Sequence, residues 1–249
     1  MQARRSRTVG AVAVAIAAVA ALGSDAATHA VTGLPQGSER VVLEPADFST
    51  TIDNRYWPMK PGTRWVYRET DPGGANRRVT VTVTNHTKKL ADGITARVVS
   101  DIVTEDGLLA EDTIDLYAQD RAGNVWYFGE STKEYDHGKF VTAAGSFEAG
   151  VDGAQPGIAM PAHPRAGMRY RQEYYAHHAE DRAEIVAVGE QAQVPAGHFK
   201  GVVMTRDLNP LEPTHVEYKF YAPGVGPVLA IGVSGGSDRE ELQRVGRAG

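Results

Sequence analysis

The densest group of side chains that could carry chemistry lies between residues 171 and 181. This segment reads Arg-Gln-Glu-Tyr-Tyr-Ala-His-His-Ala-Glu-Asp, so imidazole and carboxylate groups occur within a few positions of one another. Such groups could bind Zn²⁺ or another divalent cation, or act together as a general base. Neighbouring residues of a strand point to opposite faces, so a single ion could use both histidines only at an irregular turn. The candidate metal ligands are His177, His178, Glu180 and Asp181, and a solvated hairpin tip is the competing interpretation.

A long segment rich in glycine and proline, residues 144–167, supplies further oxygen ligands. Glu148, Asp152 and Gln155 lie among its glycines, and carboxylate and carbonyl oxygens are the ligands that Ca²⁺ prefers. The same carboxylates could also meet Glu173 at the surface of a sheet, or they could serve only as turn and surface residues. We take Glu148, Glu173 and His177 as the candidate catalytic residues.

Adjacent aromatic residues suggest where an apolar ligand could lie. Pairs such as Trp126-Tyr127 and Tyr174-Tyr175 place one ring on each face of a strand. One face would belong to the core, and the other could line a cavity or lie beneath residues 144–167; packing in the core is the simpler alternative. The candidate ligand-binding residues are Glu148, Asp152, Glu173, Trp126 and Tyr174.

Composition excludes several classes of function. The chain has no cysteine, which excludes thiol catalysis, thiolate metal sites and iron–sulfur clusters. Its net charge of −5 makes it a poor partner for nucleic acid, which attracts basic surfaces. Phosphate loops, dinucleotide fingerprints and the His-Glu-x-x-His motif are absent from the sequence. Gly232-Val-Ser-Gly-Gly236 fits a hydrolase motif, but no histidine follows it to complete a triad.

Period-two alternation of apolar and polar residues predicts a fold that is mainly β. Residues 63–69, 79–84 and 113–119 alternate in this way. Turn signals such as Asp92-Gly93 and Asp106-Gly107 separate the alternating runs, as expected for hairpins. About ten to twelve strands in succession predict one large curved antiparallel meander, half-barrel or barrel-like. Residues 144–167 would form a long loop that packs onto this sheet.

The N-terminus predicts an exported precursor. Arg4, Arg5 and Arg7 precede an apolar run over residues 10–22, and small residues follow, as in a signal peptide. This run is shorter than the about 20 residues of a membrane-spanning helix, so the mature form is expected to lack a transmembrane anchor. We expect residues 1–30 to be removed, 31–50 to form an extended arm and 51–249 to form one β domain. The protein would be extracellular or in the cell envelope, exported by the general or the twin-arginine route.

Three stretches of sequence resemble known exported proteins. They begin Asp53-Asn-Arg-Tyr-Trp-Pro-Met-Lys-Pro-Gly-Thr, Val194-Pro-Ala-Gly-His-Phe and Tyr221-Ala-Pro-Gly-Val-Gly. The first and third of these stretches, together with residues 144–167, resemble a family of exported bacterial proteins of uncharacterised function. The pattern is also similar to periplasmic curved-sheet proteins such as the lipoprotein carriers with an open half-barrel. The resemblance covers most of residues 50–245; it implies a fold and supplies no catalytic residues.

These observations favour a secreted binding protein that holds an apolar or amphipathic small molecule in a curved β-sheet. Pockets of that kind combine apolar walls with a few polar groups. A secreted hydrolase or lyase that uses carboxylate and histidine residues of 144–181, with or without a metal ion, is the first alternative. A cell-surface or assembly protein without a small ligand is the second. No motif requires a cofactor, and a divalent metal ion is the cofactor that the candidate residues could hold.

Overall fold

The computed structural model describes residues 33–143 and 145–247, and this part of the chain is almost entirely β-structure. It contains one 3-10 turn, Pro45–Asp47, and its strands belong to one antiparallel sheet, so the predicted fold class is confirmed. The strands are β1 (Phe48–Ser49), β2 (Thr63–Thr70), β3 (Asn76–Lys89), β4 (Thr95–Glu105), β5 (Leu108–Asp120), β6 (Val125–Asp136), β7 (Lys139–Thr142), β8 (Phe147–Glu148), β9 (Gln155–Met160), β10 (Arg169–Arg171), β11 (Glu173–Tyr174), β12 (Arg182–Val194), β13 (Gly197–Leu208), β14 (Val216–Ala222), β15 (Gly226–Ser234) and β16 (Arg239–Arg247).

Two-residue turns set the register of several hairpins. Asp106 and Gly107 join β4 to β5 with φ angles of 52° and 81°, and His137 and Gly138 join β6 to β7 with 47° and 75°. Positive φ at both central positions is the type I′ geometry, whose twist matches that of the flanking strands. The Asp-Gly signal in the sequence therefore corresponds to a real hairpin at Gly107.

The sheet curves until its two ends nearly meet. Its order is β10-β12-β13-β14-β15-β16-β2-β3-β4-β5-β6-β9-β11, with β1 added to β5 and with β7 and β8 added to β6. The terminal strands β10 and β11 are neighbours in the chain, separated by Gln172 alone. One short segment thus pairs with β12 on one side and with β9 on the other, so the sheet is barrel-like with one open seam between β9 and β10.

Two residues hold this seam together. A Cβ at Gly157 would lie 2.3 Å from the carbonyl carbon of Gln172, so the close approach of β9 to the seam requires glycine. Arg171 is 1% exposed, and its guanidinium donates to the carbonyl oxygens of Pro156, Gly37 and Glu39. The side chain therefore joins the N-terminal arm to the seam.

Residues 145–167 pack on the sheet as expected, and they contain more strand than their composition indicates. They include β8 and the buried strand β9. Their glycines read as loop signals, yet Gly157 is needed for close packing. The short strands also raise the total above the expected ten to twelve, although eleven strands have six or more residues.

The connection from β1 to β2 enters the barrel at one end. Asn54 organises it, since its side chain donates to the carbonyls of Gly123 and Pro161 and accepts from the amides of Tyr56 and Trp57. The ring of Trp57 then contacts two opposite walls (below). This connection therefore plugs the barrel.

The outer face of β5 and β6 is also apolar, because the N-terminal arm covers it. Phe48 in β1 lies against Trp126 and Phe128, with ring centroids 6.0 and 5.5 Å apart. Within 33–143 and 145–247, no helix is long and apolar enough to cross a membrane. The predicted signal peptide, residues 1–30, lies outside the described residues.

Candidate functional site

The curved sheet encloses a cavity of about 240 Å³. Its lining comes from β2, β3 and β4 on one side, β14, β15 and β16 on another, and the plug between β1 and β2. Aromatic and aliphatic side chains form one part of the lining and polar side chains form the other. The apolar part includes Trp57, Met59, Trp65, Tyr67, Val81, Val99, Tyr117, Tyr221, Pro227 and Leu229. The polar part is Asp101, Asp115, Gln172, Lys219 and Glu240.

The aromatic part is fixed by contacts across the barrel. Trp57 lies 5.6 Å from Tyr117 of β5 and 5.5 Å from Tyr221 of β14, measured between ring centroids. The polar atoms of two other rings are already bonded to the backbone. Trp65 Nε1 donates to the carbonyl of Val225 at 2.8 Å, and Tyr67 Oη donates to that of Pro227 at 3.0 Å. Both side chains therefore line the cavity with their polar atoms already bonded.

Carboxyl groups gather in the lumen beyond the aromatic rings. Asp101, Asp115 and Glu240 line the cavity, and the strand registers place Glu130 on the same side, since Val99 pairs with Asp115 and Asp115 pairs with Glu130. We call six of these residues the acidic cluster. Its members are Asp101, Asp115, Glu130, Glu173, Asp181 and Glu240.

Burial raises the pKa of every member of the acidic cluster, and repulsion by neighbouring carboxylates adds to the effect at each of them. The pKa of Asp101 is raised to about 7 and that of Glu130 to about 7. The pKa of Asp181 is raised to about 6 and that of Glu240 to about 8. For Asp115 and Glu173 the pKa lies well above its usual range. Much of the cluster is therefore protonated near neutral pH.

Tyr127 supplies independent geometric evidence for a proton on the cluster. Its hydroxyl oxygen lies 2.8 Å from Asp115 Oδ1 and 3.0 Å from Glu130 Oε2. The hydroxyl has one proton to donate, and burial keeps the pKa of Tyr127 well above 10. The second contact is then favourable when the other carboxyl carries a proton and donates it to Tyr127 Oη. At least one of the two acids is expected to be neutral.

Lys219 brings a positive charge to the lumen. Its Nζ lies 3.0 Å from Asp207 Oδ2 and 3.2 Å from Glu217 Oε2. These partners keep the pKa of Lys219 well above its usual value despite burial. Asp207 is further fixed by the hydroxyl of Thr205, which donates to Oδ1 at 2.7 Å.

Two residues that the sequence pointed to lie in the acidic cluster. Glu173 in β11 and Asp181 just before β12 flank the seam, and the amide of Gln172 donates to the carbonyl of Asp181 at 2.7 Å. Asp181 Oδ1 is buried without a hydrogen-bond partner among the described residues. Both carboxyl groups therefore lie close together, as neighbours of other acidic residues. The histidines that the sequence placed beside them are not part of this group.

The other predicted acidic and histidine candidates lie apart. Glu148 in β8 forms an ion pair with Lys88 at 2.5 Å, and Asp152 is exposed in a turn with a φ of 50°. His177 and His178 are exposed in the turn between β11 and β12. Among the described residues, no hydrogen bond or ion pair joins Glu148, Glu173 and His177.

The remaining metal and apolar candidates are equally separate. The carboxylate of Glu180 accepts from the amide of His177 at 2.9 Å, which closes the exposed turn. No three histidine or acidic residues of the part described are placed to hold a metal ion. Trp126 lies under β1, outside the cavity, and donates to Asp120 at 2.8 Å. Tyr174 is half-buried in β11; the catalytic, metal and ligand roles of these residues stay predictions.

Sequence reasoning missed most of the cavity. Asp101 and Glu240 lie in alternating strands, where a carboxylate reads as a solvent-facing residue. A signal was present at Asp101, since period two places it on the same side as Val99 and Val103. Trp57 belongs to an adjacent aromatic pair, Tyr56-Trp57, but it is not among the candidate ligand-binding residues, because nothing local shows that its loop enters a barrel.

Comparison with known proteins adds little to this geometry. No family model and no curated protein matches the chain. Among solved structures, the chain is similar to a protein of Parabacteroides distasonis described as a "putative lipoprotein". The two share 14% sequence identity over 78% of this chain and 99% of that one, with a TM-score of 0.44. This similarity bears on neither ligand nor activity.

Proposed function

We propose that the protein is an exported binding protein that holds a small amphipathic molecule inside its curved sheet. One observation carries the proposal: a single cavity has aromatic walls on one part and carboxyl groups on the other. An apolar portion of a ligand would pack on Trp57, Trp65 and Tyr117, and a polar portion would reach Asp101 and Glu240. Of the ligand-binding residues expected from the sequence, Glu173 remains a candidate. The apolar contacts are now assigned to residues that line the cavity and no longer to Trp126.

The energetic cost of the acidic cluster supports a functional role. Burying a carboxyl group with incomplete hydrogen bonding costs free energy, and Asp101 Oδ1 and Asp181 Oδ1 lack partners among the described residues. Apolar side chains of similar size would make a more stable interior. Residues whose pKa values are strongly shifted by burial in a cleft are good candidates for a functional site.

The size of the cavity limits the ligand. Ligand pockets usually measure roughly 300–1,000 Å³, and the cavity of about 240 Å³ lies just below that range. We therefore expect a compact molecule of one ring or one short chain rather than a long-chain lipid. Export of the protein, as the N-terminal segment predicts, would place this site outside the cytoplasm.

Native mass spectrometry of protein purified from the organism that makes it tests the proposal. We expect a bound species that is lost on denaturation. The variant Ala230→Leu would fill the cavity lining and abolish the bound species, because Ala230 pairs with Lys219 and Glu240 on the inner face. Ser234→Leu, at the exposed end of the same strand, is the matched control and should retain it. A bare protein, or cargo that survives Ala230→Leu, would contradict the proposal and favour a surface or assembly role.

A hydrolase or lyase is a second candidate, favoured by one observation. Asp101 and Glu240 line the cavity with pKa values raised to about 7 and about 8, and a general acid works best with a pKa near the working pH. Incubation of the purified protein with its identified cargo would distinguish the two functions. Conversion that Asp101→Asn abolishes while binding remains would favour an enzyme, and unchanged cargo would favour a carrier.

A further inference from the structure

Acidic groups outnumber basic groups in the lining of the lumen. Among the described residues that line the cavity, Lys219 is the one basic side chain. Its ammonium group already forms ion pairs with Asp207 and Glu217. Asp101 and Glu240 line the same cavity without an ion pair in the described part of the chain. Among the described residues, the lining of the lumen therefore includes acidic groups without a basic partner, and its basic group is already paired.

A second inward-facing cation is also occupied. Arg77 in β3 lies 2.9 Å from Glu69 Oε1 and 3.2 Å from Glu105 Oε2. Glu69 pairs with Glu240 across β2 and β16, so Arg77 reaches the neighbourhood of the cluster but is held by two carboxylates of its own. It offers little to an anionic ligand.

Asp101 points to a missing partner. Its Oδ1 atom is buried and accepts no hydrogen bond from the described residues, while the residue lines the cavity. A buried acceptor without a donor is rare in folded proteins and calls for a specific explanation. A donor carried by a bound molecule would provide one.

The aromatic walls favour the same kind of ligand. Trp65 and Tyr67 line the cavity, and their polar atoms are already bonded to backbone carbonyls. The face of an aromatic ring is electron-rich and attracts cations. An anion would meet ring faces, which repel it, and carboxyl groups that repel it once they ionise.

We propose that the ligand of the lumen is a small organic cation, a protonated amine attached to an apolar or aromatic group. The ammonium group would donate to Asp101 and to its neighbours, and the apolar group would pack against Trp57 and Trp65. This inference rests on the proposed function and narrows it to one chemical class. A bare metal ion fits less well, because no three ligating residues of the described part converge.

Binding of a cation should displace protons from the cluster. The acids that face Asp101 disfavour its ionised form when the cavity is empty, and a bound ammonium group would favour it. Affinity for an amine should therefore fall as the solution is made acidic, since protons then compete with the ligand. The charged groups around Asp101 come from β2, β3, β5, β6 and β16: Glu69, Arg77, Glu111, Asp115, Glu130 and Glu240.

Calorimetric titration with matched probes tests the inference. The probes are benzylamine and 2-phenylethylamine, each compared with the alcohol that replaces its amino group, at about pH 8 and about pH 5.5. We expect the amines to bind at least about tenfold more tightly than the alcohols at the higher pH, since hydrogen bonds between charged groups are worth that much or more. Titration in two buffers of different ionisation enthalpy should show protons released on amine binding.

Variants separate this inference from the proposed function. Asp101→Asn and Glu240→Gln should each remove most of the preference for amine, whereas Glu241→Gln, on the outer face of β16, should leave it unchanged. Equal binding of amines and alcohols would overturn the cation inference and leave the proposed function standing. Failure of every amine to bind would also overturn the inference, while the native cargo measurement would still decide the proposed function.

Discussion

Replacing Glu240 by glutamine should make the stability of the protein less dependent on pH. Burial, together with Asp101, Glu69 and Glu217, raises the pKa of Glu240 from 4.5 to about 8. In the unfolded chain this carboxyl titrates near its ordinary value. Between the two pKa values the folded state holds a proton that the unfolded state has lost, so the free energy of unfolding falls as the pH rises through this range.

The size of the effect follows from the shift. Each unit of pKa difference corresponds to about 1.4 kcal/mol, which gives an upper limit of roughly 4–5 kcal/mol for Glu240. Glu240 lines a cavity wide enough for water, and solvent there relieves part of the cost of ionisation. When the pH is raised, we therefore expect the free energy of unfolding to fall by about 2–3 kcal/mol more in the wild-type protein than in the Glu240→Gln variant.

Urea unfolding at about pH 5 and about pH 8.5 measures this difference. Glutamine keeps the size and hydrogen-bonding capacity of the neutral acid but cannot ionise. Glu241→Gln is the matched control, because Glu241 lies on the outer face and pairs with Arg239 at 2.7 Å; it should follow the wild type. An equal loss of stability in the wild type and in Glu240→Gln would refute the assignment of Glu240 as a buried, protonated acid.

Three further substitutions test the parts of the fold that build the lumen. Tyr127→Phe removes the hydroxyl shared by two carboxyls and should cost about 1–2 kcal/mol in urea unfolding at neutral pH; Tyr135→Phe, at the far end of the same strand, should cost under about 0.5 kcal/mol. Gly157→Ala places a Cβ 2.3 Å from seam backbone and should cost about 3 kcal/mol or more, against little change for Gly246→Ala, which meets nothing within 4 Å. Arg171→Met removes the donor to the carbonyls of Gly37 and Glu39 and should speed proteolysis of the N-terminal arm at least about fivefold; an unchanged rate would show that the arm is held elsewhere.

The strands could be predicted from the sequence because their signal is local. Residues 63–69 alternate in polarity, and they form most of β2. The pair Asp106-Gly107 selects a turn whose φ angles only a few residues adopt readily. Residues 155–160 were harder, since Gln-Pro-Gly opens β9 with two residues that usually interrupt strands. Gly157 is required there by the backbone of Gln172, a contact that the local sequence does not show.

The cavity could not be predicted because it depends on closure of the whole sheet. Asp101 and Glu240 lie far apart in the chain. They come to line the same cavity because β16 pairs with β2, β2 pairs with β3, and β3 pairs with β4. On β5 the alternation over residues 113–119 places Ile114, Leu116 and Ala118 on one face, but that face lies outside the lumen. Leu116 and Ala118 are buried on the face that does not line the lumen. The apolar face of a strand therefore did not show which side of the sheet lines the cavity.

The structure of the protein with its native cargo bound tests the central claim most directly. Crystals grown from protein purified with its bound molecule would show where that molecule lies. We expect density for the cargo inside the sheet, with its apolar part against Trp57 and Trp65 and a donor within hydrogen-bond distance of Asp101 Oδ1. Density for the cargo on the outer surface, with only water in the lumen, would contradict it.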